Sequence, residues 1–171
     1  DIATSEELPL NVVFTFDLLR RQNHFVRWNR WPPELARREP QALDRVCTEQ
    51  GAELEAECAL QFFFYEQWGA LRRACHRKGV RLIGDLAIFV NFDSSDVWTH
   101  PELFHLADDL DMEVVAGVPP DAFSKTGQRW GNPIYRWDVL AARGYDWWVE
   151  RMRWALCACD IVRLDHFRGF D

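Results

Sequence analysis

Apolar residues recur at spacings of three and four from about residue 54 to residue 78, which is the period of an amphipathic helix. The recurring positions are Ala56, Leu60, Phe63, Phe64, Leu71, Ala74 and Cys75. Gly79 then supplies a helix stop, and the β-rich run at 80–90 predicts a strand directly after it. A helix, a glycine and an apolar strand in this order are typical of the second half of a βαβ unit.

The same order of elements returns near the end of the chain. Asp146 is the predicted N-cap of a helix whose apolar face includes Trp148 and Met152, and the run at 161–167 predicts the next strand. Two such units predict an α/β fold with parallel strands. The segment between them, residues 91–145, is rich in Gly, Pro, Asp and Trp, and we expect one long functional loop there.

The first third of the chain has a different pattern. Residues 11–31 predict a helix and a connecting turn, a Pro-Pro pair ends that segment, and residues 34–50 predict short polar helices. We therefore expect a helical segment over residues 1–53 that leads into an α/β domain over residues 54–171.

The composition is that of a globular protein, with 48% hydrophobic and 27% charged residues over 171 positions. A formal charge of −7 argues against nucleic acid as a partner, because phosphate groups bind basic surfaces. The one basic cluster, at 71–81, is interpreted as a solvated helix end. No apolar run is long enough for a membrane span, and residues 1–10 show no signal-peptide pattern.

Nine tryptophans are many for this length. Trp98, Trp130 and Trp137 lie beside Gly, Pro, Asn and Asp in predicted loops. Flat apolar rings next to hydrogen-bonding groups suit sugar rings, which have apolar CH faces and polar rims. A role in the core or in anchoring a loop is the alternative for each of them.

The five cysteines include no CxxC pair and are interpreted as buried free thiols in a reducing compartment. A zinc site could be drawn from four residues, but their spacing matches no standard ligand set. These residues are Cys75, His76, Cys157 and Cys159. We expect no metal.

Each predicted strand has an acid at or near its C-terminal end: Asp85 after "VRLIG" and Asp165 after "IVRL". Side chains alternate along a strand, so Arg163 shares a face with Asp165. The carboxyl ends of strands bear the chemistry of α/β barrels, and this pattern predicts a charged pocket. A buried structural ion pair of Asp165 with Arg163 or Arg168 is the alternative.

This group of side chains suits glycosidic chemistry. A carboxylate beside an arginine stays ionised, which favours a nucleophile over a general acid. His166 adds a donor and acceptor for a substrate hydroxyl. In retaining glycosidic reactions an ionised Asp attacks the anomeric carbon while a second carboxylic acid protonates the leaving oxygen.

Three long motifs resemble the 4-α-glucanotransferases of glycoside hydrolase family 77, also called amylomaltases or disproportionating enzymes, in the α-amylase clan. They are "GDLAIFVNFDSSDVW" at 84–98, "VAGVPPDAFSKTGQRWGNPIYRWDVL" at 115–140 and "VRLDHFRGF" at 162–170. The segments "FVRWNRWP" and "QWGALRRACHRKGVRLIGD" fit the family as well. The resemblance is strong from about residue 60 onward.

The resemblance implies a partial (β/α)8 TIM barrel, running through strand 4, with an inserted helical subdomain. It also implies that an α-1,4-glucan segment is held covalently on an aspartate and passed to the 4-hydroxyl of another glucan, without cofactor or metal. By motif, Asp165 matches the nucleophile, Arg163 the arginine that holds it, and His166 belongs to the same signature. Asp85 and Trp130 match substrate-binding positions, and Asn132 is a weaker candidate for either a backbone-shaping or a sugar-contacting role.

The family's general acid and its transition-state-stabilising acid lie on later strands, so we expect this chain to be part of a longer enzyme and inactive alone. We expect α-1,4-glucans as partners and a cytoplasmic location, or a plastid in a eukaryote. An α-glucan hydrolase of the same clan and a non-catalytic glucan-binding product are the alternatives. A metal site from Asp165, His166 and Asp171 is a third, and it lacks a further ligand cluster.

Overall fold

The computed structural model describes residues 10–122 and 124–170, and its chain divides into two compact units. Unit 1 comprises residues 1–65 and 93–99, and unit 2 comprises residues 66–92 and 100–171. The sequence-based boundary at residue 53 stays a prediction; the contact-based division falls at residue 65 instead.

Unit 1 is helical, as the sequence of its first part predicts. Its helices are α1 (Leu10–Gln22), α2 (Pro33–Ala36), α3 (Pro40–Glu49), the first part of α4 (Gly51–Arg77) and α5 (Ser95–Thr99). Pro33 and Pro40 are the first residues of α2 and α3, where the missing N–H and the fixed φ of proline suit a helix start. A short 3-10 turn at Trp28–Arg30 follows α1.

The core of unit 1 is aromatic. The Phe16 ring centroid lies 5.3 Å from that of Trp31 and 5.7 Å from that of Trp98, and the two indoles are 5.9 Å apart. Trp98 is 1% exposed, and its Nε1 donates to the Leu35 carbonyl at 3.0 Å. These rings therefore fasten α5 to the helices that precede it in sequence.

Helix α4 confirms the helix predicted from residue 54 to residue 78, with bounds of Gly51 and Arg77. Along its whole described length no side chain is buried. Large apolar side chains such as Leu60 and Phe62 are 62% exposed.

Unit 2 contains the parallel strands that the two βαβ patterns predict. They are β1 (Ile83–Leu86) and β4 (Ile161–Leu164), paired with Ile83 opposite Ile161 and Asp85 opposite Arg163. Both strands are four residues long, so Asp165 lies just beyond the end of β4. Helix α7 (Asp146–Ala158) packs against both strands.

The segment 91–145 is not the single long loop that the sequence predicted. It contains α5, an antiparallel pair of β2 (Val115–Val118) and β3 (Gln128–Pro133), and α6 (Trp137–Ala142). Gly117 faces the Gln128 carbonyl so closely that an added Cβ would lie 2.5 Å from it. Glycine at this position is therefore what lets β2 approach β3.

The predicted start of α7 is wrong by one residue. Tyr145, with φ of 57°, is the N-cap, and Asp146 is the first helical residue. The side chain of Asp146 still serves the helix start, because its Oδ1 accepts the Trp147 backbone N–H at 2.7 Å.

The cysteines are free, as expected, but they are not all buried. Cys159 is 5% exposed, whereas Cys47 and Cys157 are exposed. Among the helices that the structure describes, none has the length and apolar character that crossing a bilayer requires.

Candidate functional site

The ends of β1 and β4 bring Asp85 and Arg163 into direct contact. Arg163 Nε donates to Asp85 Oδ1 at 2.8 Å, and its Nη2 donates to Asp85 Oδ2 at 2.7 Å. The two residues are partners in the parallel register, which places their side chains on the same face of the sheet. A planar guanidinium fits both oxygens of one carboxylate, and this makes the pair bidentate.

Asp165 is the first residue after β4 and lies next to this pair. Its Oδ1 lies 3.7 Å from Arg163 Nη2, and its backbone N–H points to the Leu86 carbonyl at 3.3 Å. One guanidinium therefore stands between two carboxylates. The resemblance implied that Arg163 holds Asp165. In the structure the guanidinium of Arg163 makes its two short hydrogen bonds to Asp85 and only a longer contact to Asp165.

The alternative of a buried ion pair at this place is wrong. The side chains of Asp85, Arg163 and Asp165 are 57%, 62% and 61% exposed. Three exposed charged groups at the carboxyl edge of a parallel pair are open to a ligand. The side chain of Arg168, the other partner considered, lies outside the described residues.

The charges of the pair stabilise each other. The hydrogen bond from Arg163 is the largest effect on the pKa of Asp85 and, together with the positive charge of Arg163, holds this pKa below its usual value although desolvation opposes it. The same hydrogen bond and the carboxylates of Asp85 and Asp165 raise the pKa of Arg163. Both groups therefore stay ionised at neutral pH.

An aromatic wall adjoins the charged group. His166 has φ of 49°, and its ring meets the edge of Trp130 with centroids 4.8 Å apart and planes at 79°. The ring of Phe89 lies 6.2 Å from Trp130 and 6.2 Å from Tyr135. Trp130 is 38% exposed, so part of its indole surface remains available.

Asn132 supports the backbone beside this wall. Its Nδ2 donates to the Val90 carbonyl at 2.8 Å, which ties β3 to the segment that follows β1. Its side chain is thereby committed to shaping the backbone, one of the two roles considered for it.

The three tryptophans proposed as sugar platforms have different environments. Trp98 is a core residue of unit 1, so the platform hypothesis is wrong for it. Trp137 packs 5.1 Å from Tyr135 and 5.7 Å from Phe170 within an aromatic cluster. Trp130, beside His166, is the one that keeps both exposure and contact with the candidate site.

Two residues of this region were not selected from the sequence. Phe89 belongs to the aromatic wall. Gly169 packs closely against Ile88 and His166, because a Cβ added to it would lie 2.7 Å from Ile88 Cδ1 and 3.5 Å from His166 Cδ2. The motif "HFRGF" contained this glycine, and a glycine next to a charged signature is the signal that could have found it.

No group of three or more His, Cys, Asp or Glu side chains within residues 10–122 and 124–170 is arranged to hold a metal ion. Asp171, one ligand of the metal hypothesis, lies outside the described residues.

A sequence model of glycoside hydrolase family 77, described as 4-alpha-glucanotransferase, matches residues 3–171. The chain belongs to this family. The match covers nearly every residue, including the charged strand ends and the Trp130 wall. Family 77 membership therefore agrees with the resemblance seen in the three sequence motifs.

Curated relatives are similar over most of this chain. The 4-alpha-glucanotransferase of Thermus thermophilus is 51% identical over 84% of this chain and 29% of its own length. That of Aquifex aeolicus (strain VF5) is 47% identical over 84% of this chain and 30% of its own length. The chain thus spans about 30% of the length of these family 77 relatives.

A solved structure gives the same result in three dimensions. The amylomaltase from Streptococcus agalactiae, in complex with acarbose, matches with a TM-score of 0.90 and 36% identity. The match covers 95% of this chain and 33% of that one. The α/β arrangement of family 77 is therefore shared at the level of the backbone.

Proposed function

We propose that the full-length protein is a 4-α-glucanotransferase that moves a segment of an α-1,4-glucan to the 4-hydroxyl of another glucan. The observation that carries this proposal is the placement of Asp85, Arg163 and Asp165 at one edge of two parallel strands, beside the exposed Trp130. Membership in family 77 names the reaction, and the site supplies residues suited to it.

We assign β1 and β4 to neighbouring strands of a (β/α)8 barrel, the third and the fourth. Their parallel pairing supports this assignment, as does the backbone match to an amylomaltase. In such barrels the active site lies at the carboxyl ends of the strands. Asp85 and Asp165 lie at these ends.

Asp165 is the proposed nucleophile. One of its carboxylate oxygens attacks the anomeric carbon, the bond from that carbon to the glycosidic oxygen breaks, and the departing glucan oxygen takes a proton from a general acid. We expect this acid on a later strand, outside the chain. The 4-hydroxyl of the acceptor then attacks the same carbon and gives its proton to the carboxylate left by the general acid, and the bond to Asp165 breaks to release a free carboxylate.

Arg163 has an electrostatic role in this scheme. Its positive charge lies 3.7 Å from Asp165 and is proposed to orient the carboxylate that attacks. Asp85, held in the fork of the same guanidinium, is proposed to accept hydrogen bonds from hydroxyls of the bound sugar. His166 and Trp130 form the wall against which the sugar ring packs, and Asn132 fixes the backbone next to it.

The test uses the full-length protein with maltotriose as the substrate. Transfer produces a ladder of longer maltodextrins together with glucose, with little net gain of reducing ends. Asp165→Asn should lower the rate by about 10³-fold or more, because the amide is a poor nucleophile. Asp138→Asn, at a carboxylate that is 72% exposed on α6, is the matched control and should keep the rate.

Two outcomes would contradict the proposal. A steady gain of reducing ends without longer products would show an α-glucan hydrolase, and retention of glucan without turnover would show a binding protein. The 171-residue polypeptide by itself should produce no ladder, since a single attacking carboxylate without a general acid cannot complete the exchange. We propose α-1,4-glucans as partners and the cytoplasm, or the plastid in a eukaryote, as the location.

A further inference from the structure

Three donors lie four residues apart along α4: Trp68, Arg72 and His76. This spacing places them on one face of the helix. All three contact the end of α7 or the short connection between α7 and β4. Arg72 and His76 belong to the basic cluster at 71–81, which the sequence pattern had assigned to a solvated helix end. The Arg72 side chain is only 26% exposed.

Two of these donors satisfy the carbonyls at the end of α7. Trp68 Nε1 donates to the Ala158 carbonyl at 2.7 Å. Arg72 donates to the carbonyls of Cys157 at 2.6 Å and Cys159 at 3.1 Å. The last carbonyls of a helix have no partner within the helix, and a cation beside them is favourable. The connection is therefore fixed at its helical end.

Asp160 is the centre of the contact. Its carboxylate accepts two hydrogen bonds from Arg72 at 2.6 and 3.1 Å and one from the backbone N–H of Leu82 at 2.9 Å. Both bonds from Arg72 go to Oδ1, and His76 Nε2 lies 2.8 Å from Oδ2, the oxygen that accepts from Leu82. The Asp160 side chain is 12% exposed, so most of its surroundings are protein groups.

Asp160 also sets where strand pairing begins. Its own backbone N–H donates to the Leu82 carbonyl at 2.9 Å, so that Asp160 and Leu82 hold each other at both backbone and side chain. The next residues, Ile83 and Ile161, are the first pair of the parallel register. The side chain of Asp160 thus fixes this register immediately before the strands.

The register decides what reaches the site. A shift of one residue in a strand exchanges its two faces. Such a shift in β4 would turn Arg163 away from Asp85 and move Asp165 with it. A strand of four residues has few backbone hydrogen bonds to its neighbour that prevent this shift. A contact at its amino end therefore contributes strongly to fixing its register.

We propose that Asp160, hydrogen-bonded to Arg72, is a positioning residue that fixes the register of β4 on β1 and thereby places Arg163 and Asp165 for glucan transfer. This inference rests on the proposed function. The contact lies at the amino ends of the strands, opposite the edge where the charged site is found. Asp160 therefore acts on the reaction only through the backbone that it aligns.

The first test measures kcat and KM of the full-length protein for maltotriose. Asp160→Asn should lower kcat by about 10²-fold, because misplacing a reacting group by about 1 Å has an effect of this size. KM should stay within about twofold, since the sugar-contacting side chains are retained. An unchanged kcat in folded Asp160→Asn would overturn the proposal.

Asp146→Asn is the matched control. Asp146 accepts two bonds from Arg143 and one from the Trp147 backbone N–H, nearly the same set of donors as Asp160, but at the start of α7. Asp146→Asn should lose less stability than Asp160→Asn, since the Asp146 side chain is 51% exposed against 12% for Asp160, and it should keep kcat. An equal loss of kcat in both variants would show general destabilisation and contradict positioning.

A second variant covers the case in which Asp160→Asn does not fold. Arg72→Lys keeps the positive charge and removes the fork that reaches Asp160 and two carbonyls at once. It should lower kcat by several-fold at unchanged KM. A wild-type kcat in this variant would overturn the proposal.

Amide hydrogen exchange separates this inference from the proposed function. The amides of Ile161 and Asp165, which donate to Leu82 and Leu86, should exchange at least tenfold faster in Asp160→Asn than in Asp146→Asn. Equal exchange in the two variants would overturn the register role. If the wild-type protein transfers no glucan, the proposed function fails, and the exchange result still decides whether Asp160 fixes the register.

Discussion

Arg163 on β4 holds both carboxylate oxygens of Asp85 on β1, at 2.8 and 2.7 Å, although the two residues lie 78 positions apart in the sequence. The same guanidinium is 3.7 Å from Asp165. One cation thus links the two acids that the sequence placed at strand ends. Because all three side chains are exposed, solvent screens this contact, and its main effect is on charge and orientation.

Removing the cation should change the titration of Asp85. In Arg163→Gln we expect the pKa of Asp85 to rise toward its ordinary value, since the hydrogen bond from Arg163 is the largest cause of its lowering. A lowered pKa stabilises the folded state above the unfolded value of about 3.9 and ceases to do so as the pH falls through the folded value. Carboxyl ¹³C NMR titration measures this change directly.

Arg153→Gln is the control for that titration. Arg153 pairs with Glu150 at 3.4 Å on the exposed side of α7. Its removal should leave the pKa of Asp85 unchanged from that in the wild type. An Asp85 curve unaltered by Arg163→Gln would mean that the bidentate contact does not persist in solution.

Gly84 leaves room for a cysteine. An added Cβ would lie 2.6 Å from Cys159 Sγ and 3.2 Å from its Cβ. Gly84→Ala should therefore lower the free energy of unfolding by about 1–3 kcal/mol, as overpacking does. Urea unfolding of the single and double variants measures it.

The double variant tests the cause of that loss. Cys159→Ala removes the sulfur atom that the new methyl group would meet, so Gly84→Ala should cost less in that background than in the wild type. Strictly additive losses would show that Gly84 is required for another reason.

Two tryptophans should respond to substitution in opposite ways. Trp98→Ala empties the aromatic core of unit 1 and removes a hydrogen bond to Leu35, so we expect a loss of about 3–5 kcal/mol. Trp130→Ala should change stability by less than about 1 kcal/mol, because that side chain is 38% exposed. Thermal unfolding compares the two.

For glucan binding we expect the larger effect from Trp130→Ala, the variant with the smaller effect on stability. In the full-length protein Trp130→Ala should raise KM for maltotriose by about 2- to 10-fold, the range expected for one aromatic contact. If KM is unchanged, Trp130 is an element of the wall that does not touch the sugar.

Glu102 should make stability depend on pH in unit 2. Burial raises its pKa, but hydrogen bonds from His100, from its own backbone and from Arg143 outweigh this and lower the pKa to about 2. Its stabilising effect is complete above its ordinary value of about 4.5 and disappears as the pH falls toward about 2. Since the side chain is 48% exposed, screening limits the effect to about 1 kcal/mol.

The measurement is urea unfolding of wild type and Glu102→Gln from pH 6 to pH 2.5. The difference in free energy of unfolding should be constant down to about pH 4.5 and then shrink. Glu113→Gln, whose carboxylate lies 3.9 Å from His105, is the control and should change the free energy little. A difference that grows on acidification would contradict the assignment.

Periodicity was enough to predict α4, α7 and the two parallel strands, because each has a local pattern of apolar residues. It was not enough for residues 91–145, where β2 and β3 pair through backbone contacts that depend on Gly117 rather than on an apolar repeat. The predicted N-cap of α7 was wrong by one residue because Tyr145, with positive φ, occupies the N-cap in place of Asp146.

The charged site could be located from the sequence because acids at the ends of apolar runs converge in a parallel sheet. The bidentate pairing of Arg163 with Asp85 was not predicted, since the pattern along each strand does not give the register between the two strands. Arg72 and His76 were interpreted as solvated charges, because no local pattern shows that Asp160 lies across from them.

The pairing of Asp85 with Arg163 also sets an order of events during synthesis. A ribosome that adds roughly 5–20 residues per second needs about 4–16 s to pass from the first residue to the second. During this interval β1 has been synthesised without its neighbour, and closing the intervening loop has an entropic cost that grows with the logarithm of its length. The acid of β1 is therefore unpaired with Arg163 until translation has passed β4, which makes this strand edge a place where a chaperone or a misfolding partner would act.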